Sequence, residues 1–150
     1  MIYLGADHRG FELKEKLYKR LSDEGFEVTD LGGDHLDPGD DYVDFAFKVA
    51  SSVIQLPDNK GILICGSGVG MAIAANKVKG IRCALVFDLA KAKQAREHLD
   101  ANIISLPVDF LDEEAAWEIV KTFLTTAFSR EERHIRRLKK IKEFEKENAV

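Results

Sequence analysis

Residues 61–76 read GILICGSGVGMAIAAN. The first five are apolar without a polar interruption, as burial on both faces of a parallel sheet requires. Three glycines at alternate positions, Gly66, Gly68 and Gly70, then lead into a small-residue helical segment from Val69 to Lys77. The thiol of Cys65 ends the apolar run rather than lying inside it, where a structural cysteine behaves as an inert small hydrophobe.

The same strand-to-helix alternation extends in both directions. Upstream, MIYLGAD is a short strand, and the segment after Gly10 sets Leu13, Leu17 and Leu21 on one helical face before Gly25. Residues 27–31 read as a second strand, and GGDHLDPGDD (32–41) is a polar loop of turn formers. Tyr42, Phe45, Ala46, Val49 and Val53 keep helical spacing. Downstream, strands are expected at 81–86 and 102–106, the first containing the all-apolar run CALVF. Helices are expected from Leu89 to about His98 and around Ala116, Ile119, Val120 and Phe123, and Ser129 with Glu132 forms a capping-box pattern that starts a last helix. Five strands alternating with helices predict an α/β fold: a Rossmann-like three-layer sandwich with a five-stranded parallel sheet and an extended C-terminal helix, in one domain over residues 1–150. Ligands of such sheets bind beyond the strand carboxyl ends, where Asp7 with His8, Cys65 with its glycines, and the turn at Phe87 and Asp88 all fall. Asp7 and His8 adjoin the glycine turn if the strand order is 2-1-3-4-5.

The chain carries 22 Lys plus Arg against 26 Asp plus Glu, a net charge of −4, which gives no sign of a surface for many nucleic-acid phosphates. It has no stretch of eighteen apolar residues and no signal-peptide pattern, and its two cysteines fall in separate strand-like runs. The expectation is a reduced, cytoplasmic protein with no membrane partner. No spacing resembles a metal site.

The GSGVG turn matches neither GxGxxG nor a P-loop, and Cys65 and Val69 occupy the positions where GxSxG needs glycine. Successive N–H groups of such a turn form a concavity that holds an anion or an oxyanion. The plainer reading is a tight turn that needs glycine only for its backbone angles. A thiol at a helix start should have its pKa lowered, which makes it a usable base or nucleophile. A Cys-x5-Arg phosphate-ester chemistry, a thiol hydrolase, would need Arg where Met71 stands. Proton abstraction beside a carbonyl needs a base and donors for the developing oxyanion, and this one turn offers both. Asp7 and His8 are titratable groups at a neighbouring strand end. His98 read alone is a cation at a helix C-terminus, and Arg133 and Arg137, four apart on one helical face, are either a solvated stripe or a phosphate clamp.

Taken in order, GADHRGFELK, DDYVDFA, ICGSGVGMAIAANKVKGIRCAL, REHLDANII and ERHIRRLKKI resemble the family of sugar-phosphate isomerases that contains ribose-5-phosphate isomerase type B and the galactose-6-phosphate isomerase subunits. The resemblance implies aldose–ketose isomerisation through an enediolate without cofactor or metal, most directly of ribose 5-phosphate to ribulose 5-phosphate. A six-carbon sugar phosphate, of the galactose 6-phosphate or allose 6-phosphate type, and non-catalytic binding of a phosphorylated metabolite are the alternatives. It implies Cys65 as the base; Gly66, Ser67, Gly68, Val69 and Gly70 as the anion hole; and His98 as the ring-opening group. Asp7 and His8 become substrate contacts, and Arg133 and Arg137 phosphate contacts. It also implies a homodimer with shared active sites, and leaves open whether dimers pair into tetramers. The chain departs from the family pattern at Leu99, where Asn is usual, at Asp109, where many members carry Arg, and at Glu131 and Glu132, where glycines are usual before Arg133. An inward-pointing Asp109 would repel a phosphate dianion.

Overall fold

In the computed structural model, described for residues 1–148, five parallel strands form one sheet: β1 (Ile2–Ala6), β2 (Val28–Asp30), β3 (Lys60–Cys65), β4 (Cys83–Leu85) and β5 (Ile103–Pro107). Six helices accompany them: α1 (Phe11–Asp23), α2 (Tyr42–Val53), α3 (Val69–Ala75), α4 (Leu89–Glu97), α5 (Glu113–Thr125) and α6 (Glu132–Glu147). The last two positions of the domain expected over 1–150 lie outside the described residues.

Alternation along β3 defines the three layers. Ile62 and Ile64 pack with Leu13, Leu17 and Leu21 of α1, Ala92 and Ala95 of α4, and Trp117, Val120 and Phe123 of α5. Leu63 and Cys65 point the other way, into a second cluster with Val49 and Val53 of α2 and Met71, Ala74 and Ala75 of α3. A strand with helices on both faces must be apolar at every position, and β3 from Gly61 to Cys65 is wholly buried.

The strand order is β2-β1-β3-β5-β4, so the order 2-1-3-4-5 does not hold on this side of the sheet. The adjacency that mattered for the site survives: β1 and β3 pair in register from Ile2 opposite Lys60 to Ala6 opposite Ile64. β5 takes the central place because all five of its residues are buried. β4 is relegated to the edge. The run CALVF is therefore not doubly buried: Cys83 and Ala84 are half-buried, Leu85 and Phe87 are exposed, and Val86 alone is sealed.

Two local details fix the ends of elements near the site. Gly10 starts α1 where a Cβ would lie 2.4 Å from the Ile64 carbonyl oxygen, so only glycine lets the helix sit this close to β3. At α6 the capping box does not form, because Glu131, not Ser129, is the N-cap residue. The Ser129 hydroxyl instead accepts the Glu131 N–H (3.2 Å) and meets His134 Nδ1 at 2.8 Å.

Candidate active site

Cys65 is the last residue of β3 and lies opposite Pro107 of β5. The turn that follows is pinned by β5 and its extension. The Gly66 carbonyl accepts the Asp109 N–H (3.0 Å), and the Gly68 carbonyl accepts the Ser105 hydroxyl (2.6 Å) and the Ala72 N–H (3.2 Å). Gly68 has φ +76°, in the left-handed region that favours glycine. Gly66 and Gly70 have no left-handed angle and lie instead against the ends of side chains that can shift. A Cβ at Gly66 would lie 2.1 Å from Arg9 Nη1, and one at Gly70 would lie 2.7 Å from the Tyr42 ring. The plain tight-turn reading therefore covers Gly68 only.

The Gly68 N–H donates to Cys65 Sγ at 3.2 Å, and the Val69 N–H donates to the Ser67 hydroxyl at 3.3 Å. The N–H groups of Ser67 and Gly70 make no hydrogen bond among the described residues. A sulfur and open main-chain donors thus share one turn. The thiol pKa, however, is raised, not lowered. Cys65 is 5 % exposed, and burial outweighs the N–H bonds of Gly68 and Met71 that favour the thiolate; the nearby charge of Asp7 adds to the rise and that of Arg9 opposes it.

Asp7 and His8 stand at the end of β1, beside this turn. Asp7 is buried, and its Oδ1 accepts the N–H groups of Arg9 (3.0 Å) and Gly10 (3.1 Å). Burial raises its pKa, against the Gly10 hydrogen bond. Asp40 receives the His8 backbone N–H (3.2 Å) and lies 2.9 Å from His8 Nδ1. A carboxylate acceptor holds the imidazole proton on Nδ1 and leaves Nε2 free to act. The loop that carries Asp40 is anchored from below by Lys14, a fully buried cation whose ammonium meets Asp30 and Glu15 and donates to the Gly33 carbonyl (2.8 Å).

Arg9, Asp40 and Tyr42 are site-forming residues that spacing did not reveal. Asp109 also changes meaning. Its carboxylate pairs with the Arg9 guanidinium, so the expected bare repulsion of an anion is replaced by a neutralised pair.

His98, Arg133 and Arg137 form a second group. His98 caps the C-terminus of α4, and its ring stacks on His134 of α6 with centroids 4.4 Å apart. Burial, and then the neighbouring His98, hold the His134 pKa below the usual imidazole range. Arg133 and Arg137 are exposed on α6. Five residues after His98 the chain enters β5 at Ile103, opposite Gly61 at the start of β3. Cys65 lies four residues further along the strands, roughly 13 Å away. One chain therefore places Asp7, His8 and the Cys65–Gly70 turn at the carboxyl end of the sheet, and His98, Arg133 and Arg137 at the amino end.

A cavity of about 520 Å³ lined by Gly33, Asp34, His35, Asp37, Asp40 and Lys48 lies beside the loop. It contains neither Cys65 nor the turn, and its carboxylates suit no anionic ligand. No metal-holding cluster of His, Cys, Asp and Glu occurs among the described residues, and none of the described helices is long and apolar enough to cross a membrane.

A parallel sheet with helices on both faces, and with a thiol, open amides and an Asp–His pair gathered at its strand carboxyl ends, defines a Rossmann-like α/β protein. Comparison with known proteins narrows this. The chain belongs to the ribose/galactose isomerase family, whose model matches residues 2–141. Ribose-5-phosphate isomerase B of Mycobacterium tuberculosis is 41% identical over 145 residues, covering 97% of this chain and 90% of that protein. The crystal structure of ribose-5-phosphate isomerase B from Mycoplasma genitalium with bound ribulose-5-phosphate superposes with a TM-score of 0.94 at 44% identity, over 98% of this chain and 97% of that one. The Clostridium thermocellum ribose-5-phosphate isomerase B gives 0.92 at 41% identity, with 99% of each chain covered.

Proposed function

We propose that this chain is an aldose–ketose isomerase that interconverts ribose 5-phosphate and ribulose 5-phosphate. The observation that carries the reading is Cys65 Sγ in hydrogen-bond contact with the glycine turn, beside open N–H groups and the Asp7–His8 pair, in a chain so similar along its length to a ribulose-5-phosphate-bound relative.

The chemistry follows from that arrangement. The Cys65 thiolate removes the proton from C2 of the open-chain aldose; the C–H electron pair becomes the C1=C2 bond, and charge moves onto the C1 oxygen. The open main-chain donors of the Gly66–Gly70 turn, those of Ser67 and Gly70, hold that oxyanion, in a turn whose bonds to β5 are already made and need no rearrangement. Return of the proton to C1, with transfer of the O2 proton to O1, completes the ketose. Asp7 and His8 hold sugar hydroxyls, His98 opens the ring, and Arg133 and Arg137 take the phosphate. No cofactor or metal enters.

His98 and the arginines sit at the wrong end of their own chain for this task, so we place them in the active site of a second copy. A two-fold axis perpendicular to the strands sets the amino end of one sheet edge beside the carboxyl end of the other. The β4 edge suits such a contact: Leu85, Phe87 and Leu89 are exposed there, as are Val69 and Ile73 of α3, an apolar surface that a lone chain would leave in water. We therefore expect a homodimer with shared active sites, acting where thiols stay reduced, as in the cytoplasm.

The test is isomerisation of a panel of five- and six-carbon sugar phosphates, followed by mixing two inactive variants, Cys65→Ser and His98→Asn. Subunit exchange should return activity, because each mixed dimer rebuilds one pocket with both groups intact. Preference for a six-carbon substrate would move the assignment within the family. Binding without turnover of any substrate would replace the enzyme by a metabolite-binding module.

A further inference from the structure

Arg9 has no part in the chemistry set out above, yet it is held at the centre of the carboxyl-end cluster. Its backbone N–H is fixed by Asp7 Oδ1 at 3.0 Å. Its side chain is 52% exposed but placed at two points: Nη2 pairs with the Asp109 carboxylate, and Nη1 lies against the Gly66 backbone, in the space a side chain at 66 would enter. Asp109 is itself tied to the turn through its N–H, which donates to the Gly66 carbonyl. Guanidinium, carboxylate and the first residue of the turn thus close a ring of contacts, unlike an isolated surface ion pair whose long side chains drift. Nε and Nη1 of Arg9 donate to no acceptor among the described residues. One edge of a planar fork is anchored, and the remaining donors are open.

From this geometry we infer that Arg9 is a substrate-binding residue that holds the phosphate from the same chain as Cys65, with Asp109 as its positioning residue; the inference rests on the isomerase reading. Position decides which end of the substrate it meets. The Cys65 sulfur is buried at the floor and must contact C1 and C2, whereas the guanidinium stands at the water-exposed mouth beyond Gly66. A monoester dianion is the part of the sugar phosphate that costs most to remove from water, so it stays at the mouth. A guanidinium offers it paired, charge-assisted hydrogen bonds. The clamp is then two-sided, with Arg9 from one chain facing Arg133 and Arg137 of the other.

The experiment compares wild type with Arg9→Ala, Arg9→Lys, Asp109→Ala and the double variant Arg9→Ala/Asp109→Ala, using steady-state isomerisation of ribose 5-phosphate and competitive inhibition by inorganic phosphate. Arg9→Ala should raise both KM and the phosphate inhibition constant about tenfold or more, while kcat stays within about threefold. Arg9→Lys should recover part of the loss. Asp109→Ala should raise KM less than Arg9→Ala does, and the double variant should be no worse than Arg9→Ala alone, because Asp109 acts only through Arg9. Unchanged KM and phosphate inhibition in Arg9→Ala would overturn the inference, as would a fall in kcat at constant KM, which would move Arg9 to the reacting carbons. A wild-type protein that binds ribose 5-phosphate without turning it over would instead refute the isomerase reading, and calorimetric binding of inorganic phosphate would still judge Arg9.

Discussion

Replacing Cys65 by serine separates its chemical role from its packing role. The hydroxyl still accepts the Gly68 N–H that the sulfur takes at 3.2 Å, so no buried donor is orphaned. The cost to the fold is that of a more polar atom in the apolar cluster with Leu63 and Met71, about 1 kcal/mol, which lowers Tm by about 2–4 °C in a chain of this size. The chemical loss is far larger. A hydroxyl does not ionise near neutrality, and a positioned general base is worth 10²–10⁴ in rate, or about 3–5.5 kcal/mol of barrier. Cys65→Ser should therefore retain under about 1% of wild-type kcat/KM in an isomerisation assay while melting close to wild type. The pH profile supplies an independent check. Burial raises the thiol pKa, so the ionised fraction at neutral pH is small, and wild-type kcat/KM should climb by roughly tenfold per unit from pH 6.5 to 8. A serine variant that keeps more than about a tenth of the activity, or a wild-type profile flat across that range, would refute the thiolate mechanism.

Three further outcomes follow from the same geometry. Gly68→Ala forces a left-handed φ on a residue with a Cβ and drives that atom to 2.5 Å from Leu85 Cδ1; it should cost about 2–4 kcal/mol in thermal or denaturant unfolding and weaken activity by distorting the turn. Lys14→Met leaves Asp30 without its buried partner, and because Asp30 keeps some contact with water the loss should be about 2–3 kcal/mol, with faster hydrogen exchange across residues 32–41. His134 has a folded-state pKa below its unfolded value, so the stability tied to its neutral form is complete above about pH 6.5 and is lost as pH falls toward the folded value. Tm measured from pH 7.5 to 5.5 should fall less steeply in His134→Gln than in wild type, and identical slopes would exclude His134 as the responsible group.

Much of the fold was legible because the signals were local. Five uninterrupted apolar residues ending in Gly-Ser-Gly can hardly be anything but a buried strand running into a helix, and the 3.6-residue spacing of Leu13, Leu17 and Leu21 fixes α1. CALVF carries the same local signal as GILIC and misleads, because exposure of β4 depends on β5 entering the sheet beside β3, a decision made by the rest of the chain. The Cys65 thiol misled for a similar reason: a helix start favours the thiolate locally, but the apolar cluster around the sulfur comes from α2 and α3. Arg9 stands directly after the Asp-His pair and still drew no notice, since its meaning lies in Gly66 and in a carboxylate 100 residues away. The family resemblance supplied roles for His98, Arg133 and Arg137 that neither spacing nor a single chain brings to Cys65.

The tight seating of Gly10 on the Ile64 carbonyl has a wider consequence. It seats the segment bearing Asp7, His8 and Arg9 directly on the strand that bears the thiol, where the Asp7 N–H also donates to the Ile64 carbonyl. The opposite end presents Arg133 and Arg137 from the exposed face of α6. Adaptation to sugars of new length would accumulate there, and a mixed assembly of two diverged chains would inherit its reactivity from one parent and its taste for substrate from the other.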